Sequence, residues 1–151
     1  MGIRVLIVDD HSVVRQGLRM FLSLDPDLEV VGEAAHGAAS LQQVAALRPD
    51  VVLMDLLMPV MDGVAATRAI RTAFPDTEVI ALTSVLEDGK VTEAIRAGAI
   101  GYLLKDTEAD ALCAAIKAAA AGQTQLSPAV TARLLREEPP PAPSEPLTER
   151  E

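Results

Sequence analysis

The sequence has few aromatic side chains, a single cysteine and a shortage of basic residues, and each shortage excludes a class of structure. Only 2% of the 151 residues are aromatic, so the core has to consist of Val, Ile, Leu, Met and Ala. Cys113 is the one cysteine, so it cannot form an internal disulfide, which fits a reducing cytoplasm. The net charge of −9 argues against direct binding of this chain to nucleic acid or to an anionic membrane.

The sequence also lacks a long apolar run. The N-terminal run MGIRVLIV is too short for a signal peptide, and Asp9 and Asp10 follow it where a small-residue cleavage site would be needed. Asp55 and Pro59 interrupt the best candidate for a membrane span. We therefore expect a cytoplasmic chain that does not enter a membrane.

Strand and helix patterns alternate five times along the first 122 residues. The strands are short apolar runs, as in sheets buried on both faces, and the helices carry apolar residues three or four positions apart. The predicted strands are 4–8, 29–34, 51–55, 79–83 and 101–105, and the predicted helices are 12–24, 38–47, 62–74, 88–98 and 107–122. This alternation predicts an α/β fold, a doubly wound parallel sheet of five strands with right-handed crossovers.

Two of the helix starts carry capping signals. Asp62, followed by Gly63, is expected to cap the third helix. Thr107 and Asp110 have the spacing of a capping box for the fifth helix.

Polar side chains follow four of the five predicted strands. Asp9 and Asp10 follow the first strand, and Asp55, Thr83 and Lys105 end the third, fourth and fifth. The strand order 2-1-3-4-5 would bring these side chains together, because the carboxyl ends of neighbouring parallel strands meet in one crevice. Three crowded carboxylates are costly to keep ionised without a cation, and Mg²⁺ prefers oxygen ligands. One such Asp alone would be better explained as a helix cap, but the combination predicts a Mg²⁺ and phosphoryl site.

At these residues the sequence resembles the receiver domain of bacterial two-component response regulators. The matching segments are Asp9-Asp10, MDLLMP around Asp55, Asp62-Gly63, Thr83-Ser84 and YLLK ending at Lys105. Asp106 follows that lysine where many receivers have a proline. This difference and the start VDDHSVVR resemble the NarL/FixJ type, which carries a LuxR-type helix-turn-helix domain.

The resemblance implies a metal site around the phosphoacceptor. Asp55 would accept the phosphoryl group and also bind Mg²⁺. Asp10 and the backbone carbonyl of Leu57 would complete the direct ligands, and Asp9 would act through water. Leu57 and Val85 would flank the path of attacking water, and because both are apolar we expect slow loss of the phosphoryl group.

The resemblance also implies which residues hold the phosphoryl group and respond to it. Lys105 and Thr83 would contact its oxygens, helped by backbone N–H groups near Met58 and Ser84. From the residues alone, Tyr102 is equally well explained as a half-buried ring or as a moving switch, and the resemblance favours the switch. Outside this set, His11 and His36 are expected at the surface, and Cys113 as a small buried hydrophobe.

The composition changes after Gly122. We expect a receiver domain over 1–122, a short extra helix within 123–137 and a Pro-rich linker over 138–146. Residues 147–151, LTERE, contain a capping box and resemble the start of a helix-turn-helix DNA-binding domain that is truncated here.

The function that the resemblance implies is that of a switch and not of an enzyme. A sensor histidine kinase would phosphorylate Asp55, and the modification would control dimerisation and DNA binding of a transcriptional regulator, with DNA bound only through the missing domain. The chemistry would be limited to Mg²⁺-dependent self-phosphorylation and self-dephosphorylation. The sequence leaves two dimer faces open. One is formed by helices 1 and 5, and the other by helix 4, strand 5 and helix 5. The choice between active and inactive conformations also stays open.

Three other functions fit the sequence less well. A haloacid-dehalogenase-type phosphatase has Asp-x-Asp after its first strand, and DDHSV does not match that pattern. A flavodoxin-like cofactor binder needs a Ser/Thr/Gly-rich phosphate cradle at the same place. A stand-alone receiver would not explain the LTERE tail.

Overall fold

The computed structural model describes residues 2–56, 58, 62–84, 90–126 and 132. The strands are β1 Ile3–Val8, β2 Leu28–Ala34, β3 Val51–Asp55, β4 Glu78–Thr83, β5 Gly101–Leu104 and β6 Gln125–Leu126. The helices are α1 Ser12–Ser23, α2 Gly37–Leu47, α3 Gly63–Ala73, α4 Lys90–Arg96 and α5 Ala109–Ala120. The five predicted strands and five predicted helices are therefore confirmed, with small differences at their ends. No helix in the described ranges has the length and apolar character of a membrane span.

The strands form one parallel sheet in the order β2-β1-β3-β4-β5-β6. The predicted order 2-1-3-4-5 is confirmed for the first five strands. The two-residue strand β6 was not predicted, because two residues are too few to show a period. It pairs with β5, so the sheet continues beyond residue 122.

Helices cover both faces of the sheet. On one face Leu22 of α1 and Ile116 of α5 pack against alternate residues of the strands. On the other face Val44 of α2 and Ile70 of α3 pack against the intervening residues. Because both faces are covered, the strands are almost continuously apolar, as expected for a parallel sheet.

The two predicted caps have different outcomes. The Asp62 side chain accepts a hydrogen bond from Ala65 N at 2.8 Å, so the cap of α3 is confirmed. The predicted capping box of Thr107 and Asp110 is wrong. The N-cap of α5 is Glu108, which makes no side-chain cap, and the Thr107 hydroxyl donates to Leu104 O at 2.6 Å. A threonine one position too early bonds back to the preceding turn instead of capping the helix.

Several predictions fall outside the described residues. They concern Leu57, Val85, the helix expected within 123–137, the Pro-rich linker and the LTERE tail.

Candidate functional site

The register of the sheet aligns the strand ends that carry polar residues. Val8 pairs with Met54 across β1 and β3, and Thr83 pairs with Leu104 across β4 and β5. The residues that follow these strands therefore emerge at the same edge of the sheet. The backbone continues the alignment one residue further, since Lys105 N donates to Thr83 O at 2.7 Å.

Lys105 joins two buried carboxylates at this edge. Its ammonium Nζ lies 2.6 Å from Oδ2 of Asp9 and 3.4 Å from Oδ1 of Asp55. The Asp9 and Asp55 side chains are only 1% and 3% exposed. Partial burial alone would lower the pKa of Lys105, but the hydrogen bond to Asp9 and the charge of Asp55 raise it overall. The ammonium therefore stays charged and offsets the two buried anions.

Four side chains at this edge fit a divalent cation. Asp9, Asp10, His11 and Asp55 each offer one ligand atom, and these atoms lie within 4.8 Å of one another. Three of the four are carboxylates, the hard oxygen ligands that Mg²⁺ and Ca²⁺ prefer. The predicted carboxylate cluster of Asp9, Asp10 and Asp55 is present, and its donor set is compatible with metal binding. The Leu57 carbonyl, the remaining predicted ligand, lies outside the described residues.

His11 has a place in this cluster that the sequence interpretation did not give it. The side chain is 66% exposed, as expected of a surface residue, but its Nδ1 lies 3.0 Å from Asp10 Oδ1 and 3.3 Å from Asp9 Oδ1. The signal was its position directly after the acidic pair. The sequence analysis did not assign His11 as a ligand because no second histidine is spaced to share a metal with it, and sequence spacing was the only guide to ligand partners.

Gly63 brings the start of α3 against the backbone of Asp55. Gly63 N donates to Leu56 O at 3.0 Å. A Cβ atom at this position would overlap the Asp55 carbonyl group and lie 2.6 Å from Leu56 Cα. Glycine is therefore required for the close approach of the two segments, and it helps to fix the direction of the Asp55 carboxylate.

Asp9 is held by the first turn of α1. His11 N donates to Asp9 Oδ1 at 2.8 Å, and the Arg15 guanidinium donates to Asp9 O at 2.6 Å. Arg15 also pairs with Glu33 at 3.0 Å, and Arg19 pairs with the second oxygen of Glu33 at 2.6 Å. Burial alone would raise the pKa of Glu33, but the hydrogen bonds from the two arginines lower it overall. Sequence reasoning missed these supporting residues because β2 and α1 meet only in the folded chain.

The remaining predicted site residues lie around the carboxylates. Thr83 is buried at the end of β4, Ser84 is exposed directly after it, and Met58 is buried. Tyr102 on β5 is fully buried in a cluster that includes Leu56 of the β3–α3 loop. The expectation of a half-buried ring is therefore wrong, because the small side chains of that cluster leave room for the whole ring. The switch role of Tyr102 stays a prediction.

Residues 5–117 match the family model of the response regulator receiver domain. The chain belongs to this family. Membership argues against two of the three alternatives that the sequence left open, the dehalogenase-type phosphatase and the flavodoxin-type cofactor binder. The NarL/FixJ character inferred from the sequence is confirmed by relatives of the LuxR and NarL type.

The curated relatives are named as transcriptional regulatory and response regulator proteins. The chain is 46% identical over 133 residues to the transcriptional regulatory protein LiaR of Bacillus subtilis, covering 88% of this chain and 63% of LiaR. It therefore spans about three-fifths of the length of such relatives.

Two solved structures resemble the described fold. A LuxR-family response regulator from Aurantimonas superposes with a TM-score of 0.84 at 33% identity, covering 91% of this chain and 98% of that one. RcsB, solved as two dimers bound to two parallel DNAs, superposes with a TM-score of 0.80 at 27% identity, covering 89% of this chain and 69% of that one.

Proposed function

We propose that the chain is the phosphoacceptor switch of a transcriptional regulator, and that Asp55 accepts the phosphoryl group from a phosphohistidine of a sensor histidine kinase. The observation that carries the proposal is the juxtaposition of the buried Asp55 carboxylate with Asp9, Asp10 and the Lys105 ammonium. A cluster of acids with one cation at the carboxyl edge of a parallel sheet suits the transfer of an anionic group.

The chemistry is a nucleophilic transfer. One oxygen of the Asp55 carboxylate attacks phosphorus, the P–N bond to the histidine breaks, and the electron pair leaves with the imidazole ring. Mg²⁺, held directly by Asp10 and Asp55 with Asp9 acting through water, would neutralise negative charge on the carboxylates and the phosphoryl oxygens. Lys105 lies 3.4 Å from Asp55 Oδ1, and its ammonium would pair with an oxygen of the bound phosphoryl group. We also assign to Thr83, Ser84 and Met58 the binding of this phosphoryl group.

The response is a change of packing and association. Thr83 and Tyr102 would report the phosphoryl group to β5 and α5, and the modified chain would form homodimers that control DNA binding by a following domain. RcsB, whose receiver fold is similar, binds DNA as a dimer, which supports DNA binding by a dimeric form of the regulator. The only chemistry assigned to the chain is its own phosphorylation and dephosphorylation. We also propose that the chain is cytoplasmic, which agrees with the buried, free thiol of Cys113.

The test is the intact mass of the protein after incubation with Mg²⁺ and acetyl phosphate. One phosphoryl adduct is expected, and it should be absent from Asp55→Asn and from samples without a divalent cation. Asp62→Asn is the matched control. It changes a nearby exposed aspartate in the same way and keeps a good helix cap, so its adduct should persist. An adduct of unchanged yield in Asp55→Asn would disprove the assignment.

A further inference from the structure

The two histidines of the chain occupy equivalent positions but use their rings differently. Each is the N-cap residue of a helix, His11 of α1 and His36 of α2. The His36 ring caps its helix, because its Nδ1 accepts a hydrogen bond from Ala39 N at 3.2 Å. The His11 ring makes no cap hydrogen bond. Capping therefore explains the orientation of His36 and does not explain that of His11.

The His11 ring is directed at the acidic cluster instead. Its Nδ1 lies 3.0 Å from Asp10 Oδ1 and 3.3 Å from Asp9 Oδ1. The backbone holds the residue in this place, since His11 N donates to Asp9 Oδ1 at 2.8 Å. The ring is 66% exposed, whereas Asp9 and Asp55 are buried. The imidazole therefore lies on the solvent side of the cluster.

The oxygen of Asp10 that faces this ring lacks a hydrogen bond. Asp10 Oδ1 is buried and accepts no hydrogen bond from any residue in the described ranges, although His11 Nδ1 lies 3.0 Å away. A buried carboxylate oxygen without a partner is costly. Both oxygens of Asp9, in contrast, have close partners, His11 N at 2.8 Å and Lys105 Nζ at 2.6 Å. Asp10 is therefore the carboxylate that is best placed to share a cation with His11.

The separation of the two atoms suits neighbouring ligands of one metal ion. In an octahedral ion with bonds of about 2.1 Å, neighbouring ligand atoms lie roughly 3.0 Å apart. Nδ1 of His11 and Oδ1 of Asp10 have this separation. Ligand atoms of Asp9, Asp10, His11 and Asp55 all lie within 4.8 Å of one another. A single ion can therefore reach the ring nitrogen together with the carboxylates.

The donor set determines which ions fit the site best. The three carboxylates carry three negative charges and Lys105 carries one positive charge, so a divalent ion balances the remainder. Mg²⁺ prefers oxygen ligands and gives up its water reluctantly, whereas first-row transition ions gain more from an imidazole nitrogen. Of these ions, Mn²⁺ also suits carboxylates. An imidazole among the ligands therefore favours Mn²⁺ over Mg²⁺.

We propose that His11 is a nitrogen ligand of the metal site and that it shifts the preference of the site from Mg²⁺ toward Mn²⁺. The proposal rests on the metal role proposed above and adds one ligand to it. The exposed ring loses freedom when it binds an ion, so we expect it to contribute about tenfold in affinity, and not more.

The first test observes the ligand directly. Mn²⁺ is bound to the full 151-residue chain, and pulsed electron paramagnetic resonance records the coupling of its electron spin to ¹⁴N. The parent protein should show the coupling of a coordinated imidazole nitrogen. The coupling should disappear from His11→Asn and persist in His36→Asn. The second variant is the matched control, because both variants keep a good N-cap residue and differ only in the ring that is removed.

The second test measures the preference between the two ions. Calorimetric titration gives the Kd for Mn²⁺ and for Mg²⁺ in the unphosphorylated proteins. His11→Asn should weaken Mn²⁺ binding by about tenfold and change Mg²⁺ binding by less than about threefold, because asparagine offers an oxygen in place of the nitrogen. His36→Asn should match the parent for both ions. Thermal unfolding without metal checks that both variants are folded.

Four results would overturn the proposal. They are bound Mn²⁺ without ¹⁴N coupling in the parent, a coupling that survives in His11→Asn, an equal loss of Mn²⁺ and Mg²⁺ affinity in that variant, and a parent that binds neither ion. The first would leave His11 Nδ1 with its contact to Asp9 Oδ1 alone. Intact mass after acetyl phosphate shows separately whether Asp55 accepts the phosphoryl group, so a failure at His11 is distinct from a failure of the proposed function.

Discussion

Replacing Gly63 with alanine should damage the site without touching any charged group. The new Cβ would overlap the Asp55 carbonyl oxygen and lie 2.6 Å from Leu56 Cα and 2.9 Å from the Asp55 carbonyl carbon. All three are backbone atoms, so no side-chain rotation can relieve the overlap. To restore a separation of about 3.5 Å, the Asp55 backbone has to move by roughly 1 Å.

Such a shift has two measurable effects. Overpacking of this kind costs about 1–3 kcal/mol, and the higher helix propensity of alanine offsets up to about 1 kcal/mol of it. The net loss is therefore at most about 3 kcal/mol, and we expect Tm to fall by up to roughly 10 °C. Misplacement of a reacting group by about 1 Å can cost 100-fold in rate, so phosphorylation by acetyl phosphate should slow by about 10–100-fold.

The matched control is Gly17→Ala, which lies within α1 where a Cβ meets nothing within 4 Å. It should leave the rate unchanged and stabilise the monomer by up to about 1 kcal/mol. Thermal unfolding followed by circular dichroism and the time course of adduct formation by mass give both quantities. A Gly63→Ala protein with the parent's Tm and rate would refute the inferred close approach.

Three further predictions follow from the site and its surroundings. Replacing Leu57 with Asn and Val85 with Glu should speed loss of the phosphoryl group by about tenfold, or roughly 1.4 kcal/mol of barrier, because polar side chains can orient the attacking water; an unchanged decay of the adduct would contradict this. Glu33→Gln should lower the free energy of unfolding at pH 7 by about 1 kcal/mol, because Glu33 pairs with Arg15 and Arg19. The lowered pKa of Glu33 means that its contribution is present above the ordinary pKa of 4.5 and is lost as pH falls through the lower folded value; a difference between the two proteins that persists in strong acid would contradict this. Mg²⁺ at ten times its Kd should stabilise the protein by about 1.4 kcal/mol, and a chelator should remove this gain. A Tm that does not change when Mg²⁺ is added would count against the metal site.

The sequence predicted the sheet and the main site residues because both depend on local patterns. The apolar runs and the turn residues between them set the strands and helices. The strand order then followed from the polar residues at four strand ends, since only one common order brings Asp10, Asp55, Thr83 and Lys105 together.

What the sequence did not predict depends on contacts between distant segments. The pairing of Arg15 with Glu33 joins α1 to β2, and the proximity of Gly63 to Asp55 depends on how the chain returns to the sheet. Burial of the Tyr102 ring follows from the small size of Ala81, Ala94 and Ala97, which come from other elements. The strand β6 exists because β5 offers it a free edge, and its two residues carry no pattern of their own.

Helix α1 shows a second limit of sequence reasoning. The helical spacing of its apolar residues, Val13 and Phe21 among them, predicts the helix but not which of these residues are buried. In the structure Leu18 and Leu22 are buried, whereas Val13 and Phe21 are exposed. A helix with apolar residues on two sides gives one mixed pattern, and only the fold separates the two sides.

The most direct test of the central claim locates the phosphoryl group on the chain. The protein is phosphorylated with acetyl phosphate and Mg²⁺, reduced with borohydride to convert the aspartyl phosphate to homoserine, digested with trypsin and sequenced by mass spectrometry. Asp9 and Asp10 fall in the peptide 5–15, and Asp55 falls in the peptide 20–68, so the two candidate positions separate cleanly. Homoserine at position 55 alone is the predicted result. Homoserine at position 9 or 10, or an unmodified position 55 in a protein that carries the adduct, would contradict the account.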